Sequence, residues 1–114
     1  VQRPQLFDAV RCDASGSVLE VQVKKSHPSS HWIWGAFRLP GKTLSALYEL
    51  WCGRNPRDEY FGTLVNAYIA RGGIVNGVQR GEFYVDVGTV HGYREAIRAL
   101  SEADAALAAR DIAA

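Results

Sequence analysis

The apolar residues of this chain change period at Pro40-Gly41. Ahead of that pair they fall on alternate positions. Leu19, Val21 and Val23 share one side of an extended run, with Glu20, Gln22 and Lys24 on the other, the pattern of a strand with one polar face. Behind the pair, Leu44, Leu47, Tyr48 and Trp51 fall at i, i+3, i+4 and i+7, one stripe of an α-helix. A chain that carries both periods has to pack helices against a sheet, which places it in the α+β (mixed α/β) class.

Reading outward from that switch gives the order β-β-β-α-α-β-β-α. Leu6–Arg11 and Leu19–Lys24, joined through the turn cluster Asp13-Ala14-Ser15-Gly16, predict a hairpin. Trp32–Leu39 predicts an aromatic strand with apolar side chains on both faces, hence one covered on both sides. Thr43 is placed to cap the first helix, and Asp58 the second, with Glu59 in its first turn. Phe61, Leu64, Val65, Tyr68 and Ile69 make the second stripe, stopped by Gly72-Gly73. Short strands follow at Ile74–Val78 and Glu82–Val87. Thr89 then caps a last helix with the stripe Tyr93, Ala96, Ile97 and Leu100. The expectation is one largely antiparallel sheet with helices packed on it, in a single domain over 1–114. From about residue 102 an Ala-rich tail is helical by propensity.

With 114 residues, 47% of them hydrophobic, the chain can bury a core without staples. A net charge of +1 gives no reason to expect nucleic acid or an anionic membrane as partner. Val1-Gln2-Arg3-Pro4 is not the apolar stretch of a signal peptide, and Cys12 and Cys52 have no ligand spacing. Reduced thiols and a cytoplasmic location are expected.

The sharpest motif is Tyr84-Val85-Asp86-Val87-Gly88-Thr89, leading into a helix that contains Gly92-Tyr93-Arg94-Glu95-Ala96. A carboxylate at a strand end is held rigidly, and Mg²⁺ takes one or two carboxylates together with phosphate oxygens. An aspartate that only decorates a turn would read the same way. The motif resembles the Asp-x-Gly-Thr signature of sugar-1-phosphate nucleotidyltransferases. Other segments follow in that family's order. Val18–Lys24 resembles the strand that carries a Glu-Lys-Pro pattern, with Lys24 at the lysine, Val23 in place of the glutamate and Lys25 in place of the proline. Trp32–Phe37 resembles the next strand, with its Gly-aromatic step near the sugar. Glu59-Tyr60-Phe61-Gly62 resembles a helix start, and Gly72–Val78 a Gly-x-x-Val pattern. The resemblance covers about residues 7–100.

What the resemblance implies is the C-terminal half of such an enzyme. Lys24, Trp34, Gly35 and Glu59 are then candidate substrate-binding residues. Asp86 is the candidate Mg²⁺ ligand, where the metal would bridge the nucleotide and the sugar phosphate. The family's Gly-rich phosphate loop is not found in these residues. The glycines at 72–77 follow a helix, and a phosphate cradle needs the reverse order. No residue is therefore assigned a catalytic role, and no cofactor is expected for the chain by itself. The expected function is a catalytically incomplete, self-associating binding or structural domain that keeps a sugar-phosphate or anion pocket. The alternative is a subunit or fragment of a split Mg²⁺-dependent nucleotidyltransferase. A homo-oligomer, a sugar phosphate and a complementary nucleotide-binding chain are the expected partners.

Other chemistry is less well supported. His27 and His31 sit in a loop broken by Pro28, which does not suit a helical metal pair. His91 could pair with Asp86 for acid–base work or be a surface histidine, and the tryptophans could stack on a sugar or form core.

Overall fold

In a computed structural model of the chain, every residue is described except 2, 56, 57, 82, 83, 113 and 114, and of residues 104–112 only the helical backbone. The chain divides into two compact units, Val1–Arg80 and Gly81–Ala114.

The first unit is built on an antiparallel hairpin of β1 (Ala9–Cys12) and β2 (Val18–Gln22). Its turn is a local hydrogen-bond cage. Asp13 Oδ1 accepts from Ser15 Oγ (2.6 Å), Ser15 N (2.8 Å) and Ser17 N (3.0 Å). Gly16 supplies the left-handed residue that the cage needs, at φ 87°. The alternation read from the sequence holds at Val21 and Val23 but breaks at Leu19. Val10 pairs with Val21 and Arg11 with Glu20, but Cys12 pairs with Val18, so β2 carries an extra residue there. That bulge turns Leu19 outward and lets Val18 and Val21, three apart, both face the core.

Two helices complete this unit, α1 (Gly41–Cys52) and α2 (Phe61–Ala70). α2 lies close on β2 because Gly62 has no side chain. A Cβ there would meet the Val21 and Val23 side chains at 2.7 and 2.6 Å. One turn on, Val65 joins Val18 and Val21 in the core, and Asn66 clamps the strand. The Val21 N–H donates to Asn66 Oδ1 and Asn66 Nδ2 donates to the Val21 carbonyl, each at 2.7 Å. The side-chain amide thus completes a strand edge, as a neighbouring strand would.

Several expectations need correction. α1 starts at Gly41, with the Thr43 and Leu44 N–H groups donating to the Pro40 carbonyl, so Thr43 lies inside the first turn and is not the cap. α1 buries Leu47 and Leu50, while Leu44, Tyr48 and Trp51 are exposed. The buried strip is narrower than the apolar stripe. Asp58 acts just ahead of α2: its Oδ1 accepts from the N–H of Tyr60, the residue before the helix, and Glu59 also precedes the first turn.

The later expected strands shrink to bridges. Trp32–Leu39 meets β1 at Ala9↔Ile33, with Val10 N–H donating to the Trp32 carbonyl (2.8 Å). It then turns toward α2, where Trp34, Phe37 and Phe61 form a chain of rings with centroids 4.5 and 4.6 Å apart. Aromatic packing on the helix replaces pairing along the strand. Gly72, at φ 85°, ends α2 as expected, with its N–H on the Ile69 carbonyl. Beyond it, Ile74–Val78 makes one bridge to the hairpin, Ser17↔Asn76, flanked by hydrogen bonds from Val18 N to the Val75 carbonyl and from Gly77 N to the Gly16 carbonyl, each at 2.8 Å. Of Glu82–Val87, the first two residues lie outside the described residues, and Tyr84–Val87 form no ladder. No second extended segment exists in that unit's described residues to pair with it.

The second unit is a turn followed by α3 (Val90–Ile112). Thr89 caps it as expected, its Oγ1 accepting from Gly92 N (3.0 Å) and its carbonyl from Tyr93 N (2.9 Å). Among the described residues no helix is long and apolar enough to cross a membrane.

Candidate functional site

Lys24 lies in the turn two residues after β2, and the fold grips its backbone and its side chain separately. Its φ is +50°, the only positive value among the described non-glycine residues. Asp8, just ahead of β1, accepts the Lys24 N–H on Oδ1 at 3.2 Å. The exposed side chain runs over Tyr60, placing Nζ 5.5 Å from the ring centroid, within cation–π range. The neighbouring Lys25 behaves differently: its ammonium donates to Glu20 Oε1 at 2.7 Å. That hydrogen bond, reinforced by one from Gln22 and by the Lys25 and Arg11 charges, holds the Glu20 carboxyl below its ordinary range. Buried Gln22 in turn fixes the loop that follows, donating to Ser29 Oγ and accepting from Ser29 N.

Tyr60 and Glu59 line one groove of about 410 Å³ between α1 and the start of α2, with Tyr48, Trp51, Arg54 and Asp58. Lys24 and Glu59 are thus brought to one neighbourhood through Tyr60. Trp34 and Gly35 lie elsewhere, on a cavity of about 480 Å³ whose wall includes Val10, Cys12, Val78 and Arg80. The Cys12 thiol on that wall is pushed up by burial and then by the Asp13 charge, which makes it a poor nucleophile at neutral pH. Cys12 and Cys52 form no disulfide.

Asp86 belongs to the second unit. Its carboxylate is exposed, and Oδ1 accepts from Gly88 N at 2.9 Å. The Asp86 carbonyl packs so closely on the first turn of α3 that a Cβ at Gly92 would collide with it. His91, in the same turn, is exposed. Among the described residues no group of three or more His, Cys, Asp or Glu side chains is gathered. His27 pairs with Ser26 Oγ at 3.1 Å within its own loop, and His31 Nδ1 pairs with the Val1 carbonyl at 2.9 Å, tying the loop to the first residue of the chain.

Asp8 and Tyr60 were not legible as site residues. Asp8 reaches Lys24 only because the hairpin register brings the two ends together. Tyr60 reaches it only because α2 lies on β2.

No family model matches the chain, and no solved structure matches it. The chain is 30% identical over 108 residues to the valienol-1-phosphate guanylyltransferase of Streptomyces hygroscopicus subsp. limoneus, a match that covers 94% of this chain and 29% of that protein. The chain therefore spans less than a third of that relative's length. A likeness extending over almost all of these residues supports a nucleotidyltransferase-like relationship.

Proposed function

We propose that this chain is a nucleotidyltransferase-like domain equivalent to the C-terminal half of a sugar-1-phosphate nucleotidyltransferase, and that it binds a sugar phosphate through Lys24. The observation that carries this reading is the state of Lys24: an exposed ammonium held in place by an uncharged ring, next to a lysine already engaged by a carboxylate. A held cation of this kind is suited to a phosphate monoester. Glu59, on the adjoining groove, is placed to accept from sugar hydroxyls. Trp34 and Gly35, on the other cavity, are assigned to binding by the family resemblance alone.

Asp86 suits Mg²⁺ by donor type. A carboxylate fixed through one oxygen offers a hard oxygen ligand. Asp86 is the residue that would hold the ion, and a bound Mg²⁺ would neutralise phosphate charge during nucleotidyl transfer. One carboxylate and one lysine supply only part of that reaction's electrostatics. The chain by itself is accordingly proposed as a binding domain. Its likeness to a stretch of a longer guanylyltransferase supports a second reading, in which a nucleotide-binding chain completes the enzyme.

Calorimetric titration with hexose 1-phosphates, with and without Mg²⁺, tests the proposal. Lys24→Ala should weaken binding by roughly ten- to a hundredfold, the range of a hydrogen bond to a charged group. Titration with Mg²⁺ alone should show binding that Asp86→Ala removes. Absence of heat with every hexose 1-phosphate would overturn the sugar-phosphate reading.

A further inference from the structure

Lys24 adopts a left-handed backbone that L side chains take only at a cost. Residues held this way persist where their surroundings over-determine them. Here two groups do so. Asp8 Oδ1 takes the backbone N–H, and the Tyr60 ring takes the ammonium. Tyr60 is itself fixed, with its N–H on Asp58 Oδ1 (3.1 Å) and its carbonyl accepting from Thr63 N (3.2 Å).

We infer that Tyr60 and Asp8 are positioning residues that preorganise Lys24 for a phosphate monoester. The inference rests on the reading of Lys24 as the sugar-phosphate ligand. A carboxylate partner would hold the ammonium equally well but would compete with the phosphate for it, as Glu20 does at Lys25. A ring face attracts the cation without neutralising it and leaves ammonium N–H donors on the far side for phosphate oxygens. Asp8 contributes its oxygen to the backbone, which sets the direction in which the side chain leaves the turn. The four-carbon stem is thereby ordered before the ligand arrives, so binding does not have to order it.

The test is calorimetry with α-D-glucose 1-phosphate and α-D-mannose 1-phosphate on the full chain. Tyr60→Leu should weaken binding about three- to tenfold, the range for losing the ordering of one long side chain. Tyr60→Phe, which keeps the ring, should restore it. Asp8→Ala should weaken binding as Tyr60→Leu does, whereas Asp8→Asn keeps an oxygen acceptor and should not. A second measurement needs no variant. In the wild-type NMR spectrum the Lys24 Cε protons should be shifted upfield by the ring and stay shifted when ligand is added. Equal or tighter binding by Tyr60→Leu, or loss of the upfield shift on adding ligand, overturns the inference, since the ring would then be only a resting place. If Lys24→Ala abolishes binding while Tyr60→Leu and Asp8→Ala leave it unchanged, Lys24 stands as the ligand and only the positioning role fails. If the wild-type chain binds neither sugar phosphate, both fail together.

Discussion

At Lys24 the fold accepts strain that a glycine would remove. With φ at +50°, Lys24→Gly should stabilise the first unit by about 1 kcal/mol in thermal or denaturant unfolding, less what the ring contact and the unfolded-state entropy of glycine take back. The same variant should lose hexose 1-phosphate binding. A variant more stable but unable to bind is the signature of a residue kept for its side chain. If Lys24→Gly destabilises the chain, the lysine serves the fold and not a ligand. Asp13 gives a second prediction at this scale. The Ser15 hydroxyl and the backbone N–H groups of Ser17, Ser15 and Gly16 hold its carboxyl below the ordinary range. Its folded pKa is below its unfolded one, so its contribution is present above the unfolded value, about pH 4, and lost as pH falls through the folded value. Melting temperature should drop on acidification in that window, with Glu20, lowered chiefly by the Lys25 hydrogen bond, adding in the same direction. Asp13→Asn keeps an acceptor oxygen without the titration and should flatten part of that acid limb.

At the scale of elements, what the sequence made legible is what is local. Thr89 caps α3 and Gly72 ends α2 because each acts within a few residues of itself. The Asp13 turn is equally self-contained. The extra residue at Leu19, by contrast, can be read only from the register against β1, so strict alternation put Val21 and Val23 on the core side correctly and Leu19 wrongly. Asn66 looked like one more polar position on α2, yet its amide closes the outer edge of β2, 45 residues away in sequence. The candidate site divides the same way. Lys24 and Asp86 could be marked from motifs, while Asp8 and Tyr60 depend on how β1, β2 and α2 come together. Asn66→Ala should destabilise the first unit by about 2–3 kcal/mol, because it leaves two part-buried backbone groups of Val21 without their partner. Asn66→Asp keeps the acceptor for the Val21 N–H but sets a carboxylate against the Val21 carbonyl, so it should not rescue at neutral pH. Denaturant unfolding of the two variants checks this, and a loss under about 0.5 kcal/mol for Asn66→Ala would mean that water replaces the amide.

At the scale of the molecule, each unit leaves large apolar side chains uncovered. On α1 these are Leu44, Tyr48 and Trp51, and on α3 Val90, Tyr93, Ile97 and Leu100. Apolar residues that gather on one face mark surfaces built to meet something. The α1 patch continues into the groove that holds Arg54, Asp58 and Glu59, so a basic and two acidic residues sit beside it. Both signs within one patch suit a two-fold contact, where Arg54 of one copy can face Glu59 of another. We therefore expect a second copy on α1. Sedimentation velocity over a concentration series should show a monomer–dimer equilibrium. Leu44→Lys combined with Tyr48→Lys should shift it to monomer while the helical circular dichroism is unchanged, since neither side chain belongs to the buried strip of Leu47 and Leu50. Because Glu59 and Tyr60 line the same groove, a dimer formed there would cover part of the proposed binding neighbourhood, so hexose 1-phosphate and self-association should oppose each other. By linkage, saturating ligand should raise the dimer dissociation constant by the square of the factor by which dimerisation weakens ligand binding at each of the two sites. A chain that stays monomeric at every concentration would remove the second copy as occupant and leave a complementary nucleotide-binding chain as the partner for that face.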